Sequence, residues 1–174
     1  KFLSRCIVST EDEEIASIAV SLGADVPFMR PKELAEDTSS TVSAIQHAIE
    51  RLKETEGETY DYVMILQPTS PLRTSEDIDA CIQKITETGA DSVMSMVELT
   101  DFSVEKLKII EDDIIKSLIE PEGKQSAQRT VGPRVYKRNT AIYLTRTELL
   151  MQGDMFGAVS RPYIMPPERS VDIN

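Results

Sequence analysis

From Tyr60 to Arg73 the chain reads YDYVMILQPTSPLR, and residues 63–66 are apolar without a break. A strand with no polar face must be covered on both sides, which predicts a place in the middle of a parallel sheet between helices. The run then stops at once in a glutamine, two prolines, two hydroxyls and an arginine. In open α/β sheets, ligands bind beyond the carboxyl ends of the strands. Gln67 offers an amide there that both donates and accepts, and Thr69 and Ser70 offer hydroxyls. Pro68 and Pro71 fix the backbone, so these groups are held before any ligand arrives. A rigid strand-to-helix turn with cap residues explains the same pattern equally well. Arg73 fits either a site or an ion pair with nearby acids.

Around this run, apolar stretches alternate with helical stripes. RCIVST and DVPFMRP are short strands, and between them TEDEEIASIAVSLGAD is a helix. Thr10 and Glu13 stand at capping-box spacing, Ile15, Ile18, Ala19 and Leu22 share one face, and Gly23 is the stop. DTSSTVSAIQHAIERLK carries cap residues, then Val42, Ile45, Ile49 and Leu52 at helical spacing. After the corner, TSEDIDACIQKITETGAD is a capped helix with Ile78, Cys81, Ile82 and Ile85 inward and Gly89 at its end, and SVMSMVEL is a strand. This βαβ rhythm predicts a three-layer α/β fold around a mostly parallel, doubly wound sheet. It breaks after Leu99, where KLKIIEDDIIKSLIE reads as a hairpin around an Asp112–Asp113 turn. Residues 100–138 are expected as an inserted arm within a single domain spanning 1–174. NTAIYLTR and TELLMQG then resume strand and helix.

Charge and residue usage limit the function. A formal net charge of −11 argues against a nucleic-acid polymer, whose partners need a basic footprint. A small anion needs only a local pocket, and Arg129, Arg134, Lys137 and Arg138 cluster in sequence as pocket or solvated loop. No apolar run approaches the roughly 18 residues of a membrane span, and no signal-peptide pattern opens the chain. Cys6 and Cys81 sit in apolar periodic segments, which predicts reduced core thiols and a cytoplasmic location. His47, beside Ile45 and Ile49, reads as structural or surface. Arg30 leaves a short strand next to a proline, where a guanidinium can grip a carbonyl or phosphate, or lie on the surface. In SVDIN, Asp172 and Asn174 point the same way if extended. Such a pair can hold Mg2+, which takes oxygen ligands and keeps waters for substrate phosphates. No nucleophile with its own base is visible, so an enzyme of this kind positions two substrates for direct attack. A Gly-rich phosphate loop is also missing, and both ends of the chain read as cut.

Taken in order, IVSTEDEEIA, RPKELAEDTSST, LQPTSPLRTSEDI, NTAIYLT and SVDIN resemble the acylneuraminate cytidylyltransferases, also called CMP-sialic acid synthetases. The resemblance covers nearly the whole chain. It implies a nucleotide-diphospho-sugar-transferase-like fold, truncated at both ends, whose hairpin arm makes contacts across a homodimer. It further implies transfer of CMP from CTP to a nine-carbon α-keto acid sugar, with Mg2+ as cofactor and pyrophosphate released. On the matching positions, Arg30 and Thr41 lie near the cytidine, and Gln67, Thr69 and Ser70 touch the sugar and α-phosphate region. Arg129, in the arm, helps bind the sugar acid, in its own or the partner's site. Asn139 and Tyr143 line the sugar pocket, and Asp172 carries Mg2+. Thr140 stands where the family often has glycine, which narrows the pocket, and Asn174 stands where a second aspartate is common. The family's N-terminal strand and basic triphosphate loop have no counterpart, so this chain alone is expected to be inactive. Two alternatives stay open: an eight-carbon (3-deoxy-manno-octulosonate) cytidylyltransferase, and a non-catalytic sugar-binding or dimerisation module.

Overall fold

The computed structural model describes residues 2–36, 38–100, 107–118 and 134–173. Helix α1 (Glu13–Ser21) is capped by Asp12, whose carboxylate accepts from the amides of Glu14 and Ile15. Thr10, the expected cap, instead accepts from the Asp12 amide. The aspartate wins because it brings a negative charge to the positive end of the helix. Gly23, at φ 84°, ends the helix as predicted. The expected inward face is reversed: Ala16 is buried, whereas Ile15, Ile18 and Leu22 are exposed. The two flanking strands shrink to a single parallel bridge between Ile7 and Asp25. Pro27 and Pro31 lack the amides a longer ladder needs.

Helix α2 (Thr41–Glu56) starts at Ser40, which caps the Ser43 amide, and stops at the left-handed Gly57. Strand β1 (Tyr62–Ile65), helix α3 (Ser75–Thr88) and strand β2 (Ser92–Glu98) follow. The hairpin is β3 (Lys108–Glu111) and β4 (Ile114–Ser117), and its Asp112 and Asp113 both take positive φ, as a two-residue turn requires. Strand β5 (Tyr136–Arg146), helix α4 (Thr147–Met151) and strand β6 (Ser160–Ile164) complete the described order, with a closing 3-10 turn at Pro167–Arg169.

The main sheet has the order β1-β5-β2-β6. Strand β5 runs antiparallel to both neighbours, and β2 pairs with β6 in parallel. The sheet is therefore mixed rather than mostly parallel, with β1, β2 and β6 sharing one direction. Among the described residues, a hairpin and no helix lies between β2 and β5, and a helical crossover is what a parallel neighbour needs. Strand β1 also takes an edge place in this sheet and is only half-buried. The covered centre goes to β2 and to β5, whose residues 141–145 are all buried. Ala141-Ile142-Tyr143-Leu144 carries the same two-faced apolar signature as β1 and has strands on both sides.

The core packs Cys81 and Ile85 of α3 against Val93, Ala141, Ile142, Leu144 and Met165. Burial pushes the Cys81 thiol up to about 12. Cys6, expected in the core, is exposed because its strand is reduced to a bridge. No helix among the described residues is long and apolar enough to cross a membrane.

Candidate functional site

The carboxyl ends of β1, β2 and β6 and the incoming end of β5 meet at one edge of the sheet. Strand β5 is irregular there. Met94 pairs with Tyr143 and Met96 with Arg138, so residues 139–142 bulge out opposite Ser95. The Ser95 hydroxyl fills the gap in the ladder: it accepts from the Ile142 amide at 2.8 Å and lies 3.2 Å from the Ile142 carbonyl. Bulges re-aim side chains in this way beside sites. The bulge turns Asn139 inward, where its amide donates to Ser170 Oγ at 2.9 Å and approaches Met165 Sδ at 3.2 Å. Thr140 is forced to φ 61°.

Above the bulge sits the QPTSPLR corner. Arg73, open between two readings in the sequence, pairs with no acid among the described residues. Its Nη1 lies within donor reach of three carbonyls: Gln67 at 2.7 Å, Ser70 at 3.1 Å and Ala141 at 3.0 Å. Burial pulls its pKa down from the ordinary arginine value, yet a guanidinium stays charged in proteins. Arg73 thus clamps the corner onto β5. Ser70 is fully buried, with Oγ 3.2 Å from Thr140 Oγ1 and 3.4 Å from the Asn139 carbonyl. Thr140 Oγ1 is 3.1 Å from Asp172 Oδ2, and the Thr69 carbonyl accepts from the Ile173 amide at 2.9 Å. Corner, bulge and C-terminal segment form one hydrogen-bonded unit.

A second anchor holds that segment. Asp77 is fully buried at the start of α3 and accepts from the Thr74 amide at 2.9 Å, Tyr163 Oη at 2.9 Å and Arg169 Nη2 at 2.7 Å. Burial works to raise its carboxyl, but the bonds from Arg169, Thr74 and Tyr163 outweigh it and hold the group below the usual aspartate value. Burial, then the Asp77 carboxylate, push the Tyr163 phenol up to about 12. Neither Asp77 nor Arg169 stands out in the sequence; the Thr74–Asp77 spacing at a helix start is the one local signal that could find the former.

The other expected site residues are spread more widely. Gln67 is half-buried at the end of β1, and Thr41 is exposed at the first turn of α2. Arg30 pairs with Glu11, whose carboxyl it lowers. Arg30 Nε is buried with no hydrogen-bond partner among the described residues, as are Ser9 Oγ and His47 Nδ1. His47 meets Phe28 edge-on at 5.3 Å, in keeping with a structural role. Tyr143 is buried, its ring 6.4 Å from that of Phe156. Of the basic residues, Arg138 stacks over Phe156, exposed Arg134 reaches Glu98 at 3.8 Å, and Arg129 lies outside the described residues. A cleft of about 400 Å³ opens beyond the end of β2, edged by Glu98, Thr100, Lys137 and Ser170.

No three His, Cys, Asp or Glu side chains converge on a metal position among the described residues. The exposed Asp172 therefore suits Mg2+ as a single carboxylate sharing the ion with waters and substrate phosphates, and not as part of an all-protein cage. Asn174 lies outside the described residues.

A family model described as cytidylyltransferase matches residues 1–161. The CMP-N,N'-diacetyllegionaminic acid synthase of Legionella pneumophila is 28% identical, over 97% of this chain and 72% of the relative. The N-acylneuraminate cytidylyltransferase A of Danio rerio is 30% identical, over 96% of this chain and 37% of the relative. Among solved structures, a CMP:2-keto-3-deoxy-manno-octonic acid synthetase complexed with CTP superposes with a TM-score of 0.62 at 14% identity. That match covers 94% of this chain and 73% of the other, and it shows a shared fold. The chain belongs to the cytidylyltransferase family.

Proposed function

We propose that this cytidylyltransferase-family chain carries CMP from CTP to a nine-carbon α-keto acid sugar of the sialic acid kind, releasing pyrophosphate. The observation that carries this reading is the unit of Ser70, Thr140 and Asp172 at the carboxyl edge of the sheet. It sets hydroxyls and a carboxylate side by side where an α/β sheet takes its ligand. The legionaminate and acylneuraminate relatives supply the acceptor class.

In this reading the sugar's anomeric hydroxyl attacks the α-phosphorus of CTP in line, and pyrophosphate leaves. The chain's own part is to position the two substrates. Arg30, whose Nε has no partner among the described residues, and Thr41 take the cytidine. Gln67 and the Thr69–Ser70 corner, braced by Arg73, form the wall that faces the sugar and the α-phosphate, with Ser70 buried behind it. Lys137 and Ser170 edge the cleft assigned to the acceptor, with Asn139 behind Ser170, and Tyr143 and Arg129 are assigned to the same sugar acid. Asp172 is the carboxylate for Mg2+, which when bound supplies charge stabilisation to the departing pyrophosphate. Residues 100–138 act as the arm of a single domain, and its apolar hairpin meets a second copy of the chain. The reaction belongs to the cytoplasm.

The test is pyrophosphate release by the protein at its full natural length, given CTP, Mg2+ and a panel of eight- and nine-carbon keto-sugar acids. Release with a nine-carbon acid, falling by at least about 100-fold in Asp172→Ala, is expected. Turnover confined to the eight-carbon acid, or near-normal turnover in Asp172→Ala, would sink the respective assignment.

A further inference from the structure

Thr140 is a β-branched residue at φ 61°. The other non-glycine residues with positive φ among those described are Asp112 and Asp113, in the hairpin turn. Aspartate tolerates the left-handed region, whereas a β-branched side chain there is a genuine outlier. Such a conformation persists only where the surroundings over-determine it. Here the surroundings are three oxygens around one hydroxyl: the Asn139 carbonyl at 2.8 Å, Asp172 Oδ2 at 3.1 Å and Ser70 Oγ at 3.2 Å. A hydroxyl has one proton to donate, and an ionised carboxylate only accepts. The contact with Asp172 therefore uses the Thr140 proton, and Ser70 can donate to Thr140 Oγ1. The Asn139 carbonyl, the nearer acceptor at 2.8 Å, shares that proton with Asp172, whose charge favours it at 3.1 Å. A relay runs from the fully buried Ser70, through Thr140, to the exposed Asp172.

We propose that Thr140 is a positioning residue that joins the QPTSPLR corner and the Asp172 segment into one preset wall of the acceptor site. What the wall binds rests on the cytidylyltransferase reading, but the wall itself does not. The segment has other ties, from Ile173 to Thr69 and from Ser170 to Asn139, so losing the hydroxyl loosens it without freeing it. A looser wall must be ordered on binding, and that cost appears chiefly in KM.

Three variants of the full-length protein test the assignment. Thr140→Val keeps the shape and removes the hydroxyl. It is expected to raise KM for the sugar acid about 5–10-fold, the scale of one charge-assisted hydrogen bond, with a smaller change in kcat. Backbone amides of residues 170–173 should exchange with deuterium about fivefold faster or more, by the same bond. Thr140→Ser should restore both readouts to within about twofold, since it keeps the donor. Thr140→Gly takes up φ 61° without strain; it should show the faster exchange with a thermal midpoint no lower than that of the parent, which separates loss of the tie from loss of the fold. Unchanged exchange in both Val and Gly, or a Ser variant as impaired as Val, would overturn the proposal. If the parent transfers CMP to no keto-sugar acid, the functional reading fails while the exchange rates still decide the role of Thr140.

Discussion

Asp77 shows how much a single buried carboxylate can organise. It starts α3 by accepting from the Thr74 amide, and it fixes Tyr163 and Arg169 on the other side of the site. Asp77→Asn keeps the size but leaves Arg169 facing a neutral amide. Arg169 is about one-third exposed, so water relieves part of the loss, and about 2–3 kcal/mol of destabilisation is expected. A lower urea midpoint at unchanged slope would register it. The pH dependence has a definite sign. The folded carboxyl lies below the ordinary value of 3.8, so the unfolded chain binds the proton first. The stabilisation is complete above that value and fades as pH falls through the lowered one. The acid limb of a stability curve should therefore flatten in the variant, and an unchanged limb would remove Asp77 as its source. Half of this residue's role was legible, because Thr and Asp at cap spacing announce a helix start. Its pairing with Arg169 was not, because the two are 92 positions apart and only the sheet brings them together.

Elements were legible where local chemistry decides them. The hairpin was visible in its β-branched runs and Asp-Asp turn, and α3 in its Thr-x-x-Asp start and Gly89 stop. Elements that depend on neighbours misled: RCIVST and DVPFMRP have strand composition but lack ladder partners beyond one bridge. The bulge of β5 gave no sign, because its cause is the Ser95 hydroxyl on another strand. The hairpin also carries a prediction. Ile110 and Ile115 form a cross-strand pair, each about 70% exposed, and Ile114 is exposed as well. A two-stranded ribbon is marginal alone, and bare apolar strands invite a partner. Under the proposed homodimer, Ile110→Lys combined with Ile115→Lys should shift the full-length protein from dimer to monomer in sedimentation equilibrium. The far-ultraviolet circular dichroism should not change. A variant that keeps the parent's mass would show that the arm does not hold the dimer.

At the scale of the whole molecule, alternating patterns announced an α/β fold but not the direction of each strand. Periodicity measures burial along one element, whereas direction depends on the path between elements, and β5 runs antiparallel to β2. Net charge is the other whole-molecule property that the sequence states outright, and at −11 it leaves the chain with self-repulsion that grows as further groups lose protons. The buried Cys81 and the half-buried Tyr163 sharpen that trend. Cys81 is pushed from 9.0 up to about 12, chiefly by burial, and Tyr163 from 10.0 up to about 12, by burial and then by Asp77. Both are neutral in the fold and ionise earlier in the unfolded chain. Their contribution is therefore whole below about pH 9 and is lost as pH rises toward 12. The urea midpoint should fall steadily from about pH 9 upward. Salt should soften the part due to surface repulsion, because exposed charges are screened and buried ones much less so. Cys81→Ala lowers the midpoint at every pH by leaving a small cavity, but it should make the decline between pH 9 and 11 shallower, and Tyr163→Phe should act similarly from pH 10. An alkaline decline of the same steepness in both variants, abolished by salt, would assign the whole effect to net charge and none of it to Cys81 and Tyr163.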